Sequence, residues 1–324
     1  MCLTEVAACF APSAKRVTKL RKWVRKIFAD KKISPTVAGE LAGKCGFLAT
    51  TVCGRLGRAA LKPLFARQHA SGATSVLTPT LRAALTMLVE LFAAAPPRTV
   101  PYAVRGQYPA LVFSDAYFQL GDSPLRPGHP DQWPELWSVR WPLQYLNGWG
   151  AVVFFSDRSI RPVVLYGRVP PLITKDFAGK GECIYILEAL GQLLPIIALG
   201  PWLEGPVISF IDNVAAQFAL VKGYSRHVGG NVVSSCYWGA AARYKINPWF
   251  ERVASASNIA DAISRFDLSE AARQGWYVAQ LDFSVVFEAL LAHLRNPAKS
   301  PLKMAARLHD AFTAQRNTLP LARW

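Results

Sequence analysis

Val207-Ile-Ser-Phe-Ile-Asp212-Asn-Val-Ala-Ala-Gln-Phe218 runs from an apolar, β-branched stretch straight into an acid and an amide. The run reads as a buried strand that delivers the Asp212 carboxylate at its C-terminal end. Ligands of open α/β sheets sit beyond the carboxyl ends of the strands, so an acid placed there points into a crevice. The competing role is a helix cap, because Val214 to Val221 reads as helix and Asp is a favoured N-cap. The positions of the other acids weigh between the two.

Working outward, residues 223–230 read as a loop, 231–243 as a helix and Ile246 to Val253 as a last strand. Asp261 then falls just inside a helix that starts within Asn258-Ile-Ala-Asp-Ala-Ile-Ser-Arg265. Upstream, a helix from about Tyr185 to Leu199 places Glu188 in its first turn, with Leu187, Leu190, Leu194 and Ile197 facing inward. Ala110-Leu-Val-Phe-Ser-Asp115 is a second apolar strand ending on an acid. Gly148-Trp-Gly150 leads into Ala-Val-Val-Phe-Phe155, and Val163-Val-Leu-Tyr166 follows, so these read as antiparallel neighbours of that strand. The stretch between them, with Gly121, Pro124, Pro127, Pro130 and Pro134, is too irregular for an element of its own.

The pattern predicts an α/β fold: a mixed five-stranded sheet, three strands antiparallel and two parallel, flanked by helices. Asp115, Glu188, Asp212 and Asp261 then meet at one mouth of the sheet. Clustered carboxylates repel one another and stay ionised only beside cations. Two Mg2+ ions about 4 Å apart, with Mn2+ as a substitute, suit such a cluster and the cleavage of a phosphodiester.

Four segments carry a resemblance. Phe-Ser-Asp115-Ala with Gly-Trp-Gly-Ala-Val, Ile-Leu-Glu188-Ala-Leu, Phe-Ile-Asp212-Asn-Val-Ala-Ala and Asn258-Ile-Ala-Asp261-Ala-Ile-Ser-Arg265 resemble the four motifs of the ribonuclease H domain in retrotransposon polymerases. Residues 33–98 are similar to the thumb or connection segment that precedes it, so the likeness spans roughly residues 33–266 in order. It implies a ribonuclease H-like fold, Asp115, Glu188, Asp212 and Asp261 as metal ligands, and hydrolysis of RNA in RNA/DNA hybrids. Tyr117 departs from the usual Asp-Ala-Ser of the first motif, and the loop up to Gly148 is long. The polymerase palm is missing, so polymerisation would need a separate palm as partner.

Composition bears on the partner. The 324 residues are 52% hydrophobic and 18% charged, with a formal charge of +16 and a pI near 9.8, which describes a globular chain suited to a polyanion. Cys2, Cys9, Cys45, Cys53, Cys183 and Cys236 are scattered without a C-x-x-C pair, as in a reducing compartment, nuclear or cytoplasmic. The first dozen residues carry Glu5 and no basic n-region, so secretion is not expected. Ile184 to Leu203 approaches membrane-spanning length but holds Glu188 and Pro195, so no membrane partner is expected.

Cations dominate the N-terminal third. Residues 15–32 form a basic amphipathic helix, Ser34-Pro35 opens a helical segment running to Arg67, and residues 78–95 form a third helix before Pro96-Pro97. The region reads as wholly helical. Lys19, Lys22, Lys26, Lys44, Arg55 and Arg58 here, with Lys222 and Arg226 later, are the expected phosphate contacts. Gly39, Ala42, Gly43, Gly46 and Gly54 read as small residues that let helices approach closely. The expected organisation is a basic helical region over 1–98, the ribonuclease H-like domain over 99–270 and a helical extension over 271–324.

Rivals are an exonuclease, disfavoured because Tyr117 stands where an Asp-x-Glu pair needs its Glu, and a transposase or integrase, which leaves Asn258 to Arg265 unexplained. A catalytically silent nucleic-acid-binding protein shares the same charge. A peripheral membrane protein anchored by residues 15–32 ranks last. Asp122 and Asp157 read as loop acids, Glu182 as a substitute ligand disfavoured by the Ile-Leu-Glu188-Ala-Leu context, His227 as an exposed loop histidine rather than an aid to proton transfer or product release, and Trp149 and Trp249 as core or strand residues.

Overall fold

The computed structural model describes residues 2–3, 7–52, 54–70, 75–101, 108–120, 145–170, 173, 183–296 and 301–323. Residues 121–144 of the stretch read as irregular, with Asp122, and Glu182 lie outside them, while the residues on either side of that stretch are strand: the strand before it runs on to Leu120 and the next starts at Tyr145 rather than Gly148. In chain order the elements are β1 (Cys2–Leu3), β2 (Ala7–Phe10), α1 (Ala14–Asp30), α2 (Pro35–Thr50), α3 (Arg58–Gln68), α4 (Pro79–Ala94), β3 (Arg98–Pro101), β4 (Ala110–Leu120), β5 (Tyr145–Phe154), β6 (Val163–Gly167), α5 (Cys183–Leu199), β7 (Gly205–Ile211), α6 (Val214–Lys222), α7 (Val228–Arg243), β8 (Ile246–Arg252), α8 (Asp261–Ser264), α9 (Ser269–Arg273), β9 (Tyr277–Val278), α10 (Ser284–Arg295) and α11 (Pro301–Arg316). The chain divides into two compact units, one of residues 1–107, 219–247 and 288–311, the other of residues 108–218, 248–287 and 312–324.

In the first unit the helix starts follow the local chemistry. Ser13, Ser34 and Thr78 accept backbone N–H bonds from Arg16, Val37 and Leu81, satisfying donors that a helix start leaves open. Val17, Leu20, Val24 and Ile27 of α1 are buried, so its apolar stripe packs inward and its basic face is left to solvent. The single helical segment read over 34–67 is two helices. Gly54 and Gly57 between them adopt φ of 55° and 87°, which breaks the helix, and a Cβ at Gly54 would collide with the Trp238 ring. The region is also not wholly helical: β1, β2 and β3 form an antiparallel sheet with Ala7 opposite Pro101 and Phe10 opposite Arg98. Pro96 and Pro97 end α4 and keep the following backbone extended, which makes β3 available for pairing.

The second unit is built on a mixed six-stranded sheet in the order β8-β7-β4-β5-β6-β9. β4 and β6 flank β5 antiparallel, and β7 joins β4 in parallel. The expected count of five strands is therefore one short. Tyr277 and Val278 pair in parallel with Val163 and Val164, and Trp276 anchors this short strand edge to face on Phe154 at 5.8 Å. Two residues are too few to show strand periodicity, which is why the sequence pattern misses them.

α5 packs on β4 and β5. It starts at Cys183, so Glu188 lies in its second turn rather than the first. The segment Ile184–Trp202 is long and apolar enough to cross a membrane, yet 89% of its apolar window is buried inside the protein, as for a core helix. Arg316 donates to the carbonyls of Ala198 and Ile197 at 2.8 and 2.5 Å, satisfying acceptors exposed at the C-terminal end of α5.

Candidate metal centre

Register brings two acids together. β4 and β7 pair in parallel with Phe113 opposite Phe210, and the two rings stack at 4.3 Å and 7°. Asp115 and Asp212 each follow their phenylalanine by two residues, so they stand side by side: Asp212 just past the end of β7, and Asp115 within β4, which runs on to Leu120 rather than ending on the acid as expected. Glu188 reaches them from α5. One carboxylate oxygen from each of Asp115, Glu188 and Asp212 lies within 4.8 Å of the others, and this buried acidic group can hold a metal ion.

The role of Asp212 is decided by its neighbour. Asn213 Oδ1 accepts the backbone N–H groups of Ala215 and Ala216, each at 3.0 Å, and so caps α6 itself. Asp212 is left to face the other acids. Its Oδ1 and Glu188 Oε2 are buried and have no hydrogen-bond partner among the described residues. Buried acceptors without donors are costly, and a cation would satisfy both.

Electrostatics agree with that fit. Asp115 and Glu188 are only 3% and 4% exposed. Burial first, and then the charges of Asp115 and Asp212, push the Glu188 carboxyl up to about 10, against a backbone N–H from Ala116 that favours the ion. Burial likewise pushes Asp115 up to about 6, while the Ser264 hydroxyl opposes the shift and Asp212 and Asp261 add to it. The donors are oxygen only, which selects hard cations over soft ones.

Asp261, the fourth expected acid, is close enough to act on Asp115 and Glu188 through its charge but is not part of the triad. Its carboxylate is 43% exposed and is held by Arg265, whose Nη2 donates at 2.9 Å. What fixes this segment was not among the expected site residues. The Ser264 hydroxyl lies 2.6 Å from Asp115 Oδ2, to which it donates, and 2.8 Å from the Asp261 carbonyl. Asn258 Nδ2 donates to the Ser114 carbonyl at 2.9 Å, and its Oδ1 accepts from the Ala260 N–H at 3.2 Å. Both residues sit inside the quoted segment, but their targets on β4 are invisible to local spacing.

Asn258→Leu leaves the Ser114 carbonyl buried without its donor, so we expect a loss of about 1–3 kcal/mol in denaturant unfolding. An unchanged midpoint would remove Asn258 from the supports of the site.

The expected phosphate contacts lie in the first unit. Lys19, Lys22 and Lys26 are exposed on α1, Lys44 on α2, and Lys222 and Arg226 at the end of α6 and just after it. Arg55 Nε donates to the Val221 carbonyl at 3.0 Å. Burial and then the like charges of Arg58 and Arg98 hold Arg55 below its ordinary value, and burial followed by Arg226 does the same to Lys62. Like charges gathered this way are relieved by a polyanion. Of the remaining residues, Trp149 is buried, Trp249 is exposed on β8, Asp157 bonds Ser159 within its turn, and His227 precedes α7 in the other unit from the triad.

Comparisons with protein-family models, with curated proteins and with solved structures each returned no match.

Proposed function

We propose that this chain is a metal-dependent endoribonuclease of the ribonuclease H type that hydrolyses RNA in RNA/DNA hybrids. The observation that carries this reading is the triad of Asp115, Glu188 and Asp212, with ligand oxygens within 4.8 Å and two buried oxygens lacking donors. The chain order of the sheet supports it: three antiparallel strands come first, then a helix, then β7 added in parallel beside β4, with β8 beyond. That is the order in which the four quoted motifs follow one another. Bound there, two Mg2+ ions, or Mn2+ in their place, would supply Lewis acidity at the scissile phosphate and a water acidic enough to attack it.

The residues themselves divide the work. Asp115 and Asp212 present carboxylates from adjacent strands, and Glu188 adds a third from α5. Ser264 holds one Asp115 oxygen, leaving the other to act as ligand. Asp261 is free to turn inward once Arg265 is drawn to a phosphate, because their exposed pairing is weak in water. A polymerase palm would supply the hybrid in a retrotransposon setting.

The test is cleavage of a hybrid labelled on its RNA strand, at low salt with Mg2+, by the protein and by its Asp212→Asn variant. We expect cutting by the first and a loss of more than about a hundredfold in the second, since groups that merely orient a ligand already cost about 10- to 100-fold. The position of Asp261 outside the triad favours one alternative, a silent nucleic-acid-binding protein on the same fold. Salt-sensitive hybrid binding by both proteins with cleavage by neither would establish that alternative and overturn the nuclease.

A further inference from the structure

α1 and α2 enclose a cleft of about 540 Å³ lined by Arg16, Lys19, Leu20, Trp23, Gly43, Lys44, Phe47 and Leu48. Its floor is apolar, because Leu20 and Leu48 are buried. Its rings are those of Trp23 and Phe47, the latter 54% exposed. Each carries a cation: Lys44 Nζ lies 4.2 Å from the Trp23 ring centre and the Arg16 guanidinium 4.6 Å from that of Phe47.

Gly43 gives an independent observation. It sits in the interior of α2, where glycine weakens a helix relative to almost any other residue. Small residues in helices usually admit a close neighbour, and Gly39 does, since a Cβ there would meet the Gln68 side chain at 3.0 Å. A Cβ at Gly43 would meet nothing within 4 Å. Glycine at this position therefore serves no packing contact. It keeps one wall of the cleft open.

From these features we infer that the α1–α2 cleft captures an unpaired nucleobase of a single-stranded nucleic acid, with the adjoining phosphates held by Arg16, Lys19 and Lys44. The occupant needs a planar π face and a neighbouring negative charge, and a nucleotide unit offers both. An acidic peptide offers charge without the plane, and an acyl chain would place its apolar length among cations. Stacking a base on an aromatic ring outweighs an exposed cation over the same face, so the base displaces Lys44 or Arg16 and the freed cation turns to phosphate. The bond from Lys44 to Glu40, 3.5 Å long and exposed on both sides, does not resist that movement. Outside the cleft, Lys15, Arg21, Lys22, Arg25 and Lys26 continue the positive track along α1.

The test measures anisotropy of a short labelled oligodeoxythymidylate and of an abasic strand with the same number of phosphates, both in EDTA. Metal-dependent cleavage is silent there, so failure of this inference leaves the nuclease proposal untouched. The full chain is expected to prefer the base-bearing strand about tenfold or more. Gly43→Leu, which fills the cleft while favouring the helix, and Phe47→Ala, which removes an exposed ring, should each erase that preference and leave equal, salt-sensitive binding of both strands. Equal binding of the two strands by the unmodified protein would overturn the inference. So would a preference that survives Gly43→Leu in a protein that melts no lower. Binding to anionic vesicles lost in Gly43→Leu, with no preference between the strands, would give the cleft to a lipid instead.

Discussion

Between pH 6 and pH 8, affinity of the Asp115–Glu188–Asp212 triad for Mg2+ or Mn2+ is expected to rise about a hundredfold. Metal binds the ionised carboxylates, so every proton the free site retains must leave. Glu188, pushed up to about 10, keeps its proton across this whole window, which gives about tenfold per pH unit. Asp115, at about 6, adds a second proton only at the acid edge. The sign for stability runs the other way in the metal-free protein. Both groups are raised in the fold above their ordinary values of 3.8 and 4.5, so the folded state binds more protons than the unfolded one. Their favourable contribution is complete below about pH 4 and is lost as pH rises toward the folded values. The metal-free melting temperature should therefore fall with rising pH through this contribution, while the shift produced by Mn2+ grows. Glu188→Gln should raise the metal-free melting temperature at pH 8 and nearly abolish the Mn2+ shift. Calorimetry in buffers of different ionisation enthalpy reads the proton release directly, and an affinity that stays flat from pH 6 to pH 8 would sink this account.

The acids of the triad were legible because each follows a short apolar run, although only Asp212 stands at the end of its element: β4 continues past Asp115 to Leu120, and Glu188 lies in the second turn of α5. What placed them within reach of one another was also present, in the matching Phe-x-Asp spacing of Phe113-Ser-Asp115 and Phe210-Ile-Asp212. The cap at α6 was not legible. Asp212 and Asn213 are both good cap residues, and only backbone geometry chooses between neighbours. Asp261 illustrates a different limit: its position at a helix start was readable, but its pairing with Arg265 is a side-chain choice that spacing alone permits without requiring. Non-local pairing hid the β1–β2–β3 sheet and β9, because strands of two to four residues show no periodicity and take their identity from a partner far along the chain. The amphipathic pattern of α1 was clear while its meaning was open between membrane, phosphate and core. Burial of Val17, Leu20, Val24 and Ile27 commits those four residues to the core and leaves the basic face, with the half-buried Trp23 beside it, for a partner.

Gly150→Val is expected to cost about 3 kcal/mol of stability and to dismantle the support of Asp115 at the same time. A Cβ at Gly150 would lie 2.5 Å from the Ser264 nitrogen and 2.7 Å from the Ile263 carbonyl carbon. Those are backbone atoms, so no rotamer change can make room. At Gly148 a Cβ would meet the Ser264 carbonyl oxygen as well, so the whole contact of β5 with α8 depends on bare backbone at both positions. Valine can enter only if α8 lifts away from the sheet. Ser264 would then lose its 2.6 Å bond to Asp115, and Asp261, at the start of the same helix, would move with it. Gly275→Ala is the contrasting change: nothing lies within 4 Å of its Cβ, and only its φ of 66° is at stake, worth roughly 1–2 kcal/mol. Denaturant unfolding should therefore separate the two variants in size. Mn2+-induced stabilisation should separate them in kind, being weakened in Gly150→Val and retained in Gly275→Ala. If Gly150→Val kept the full metal response at wild-type stability, the packing of α8 on β5 would have no part in shaping the site.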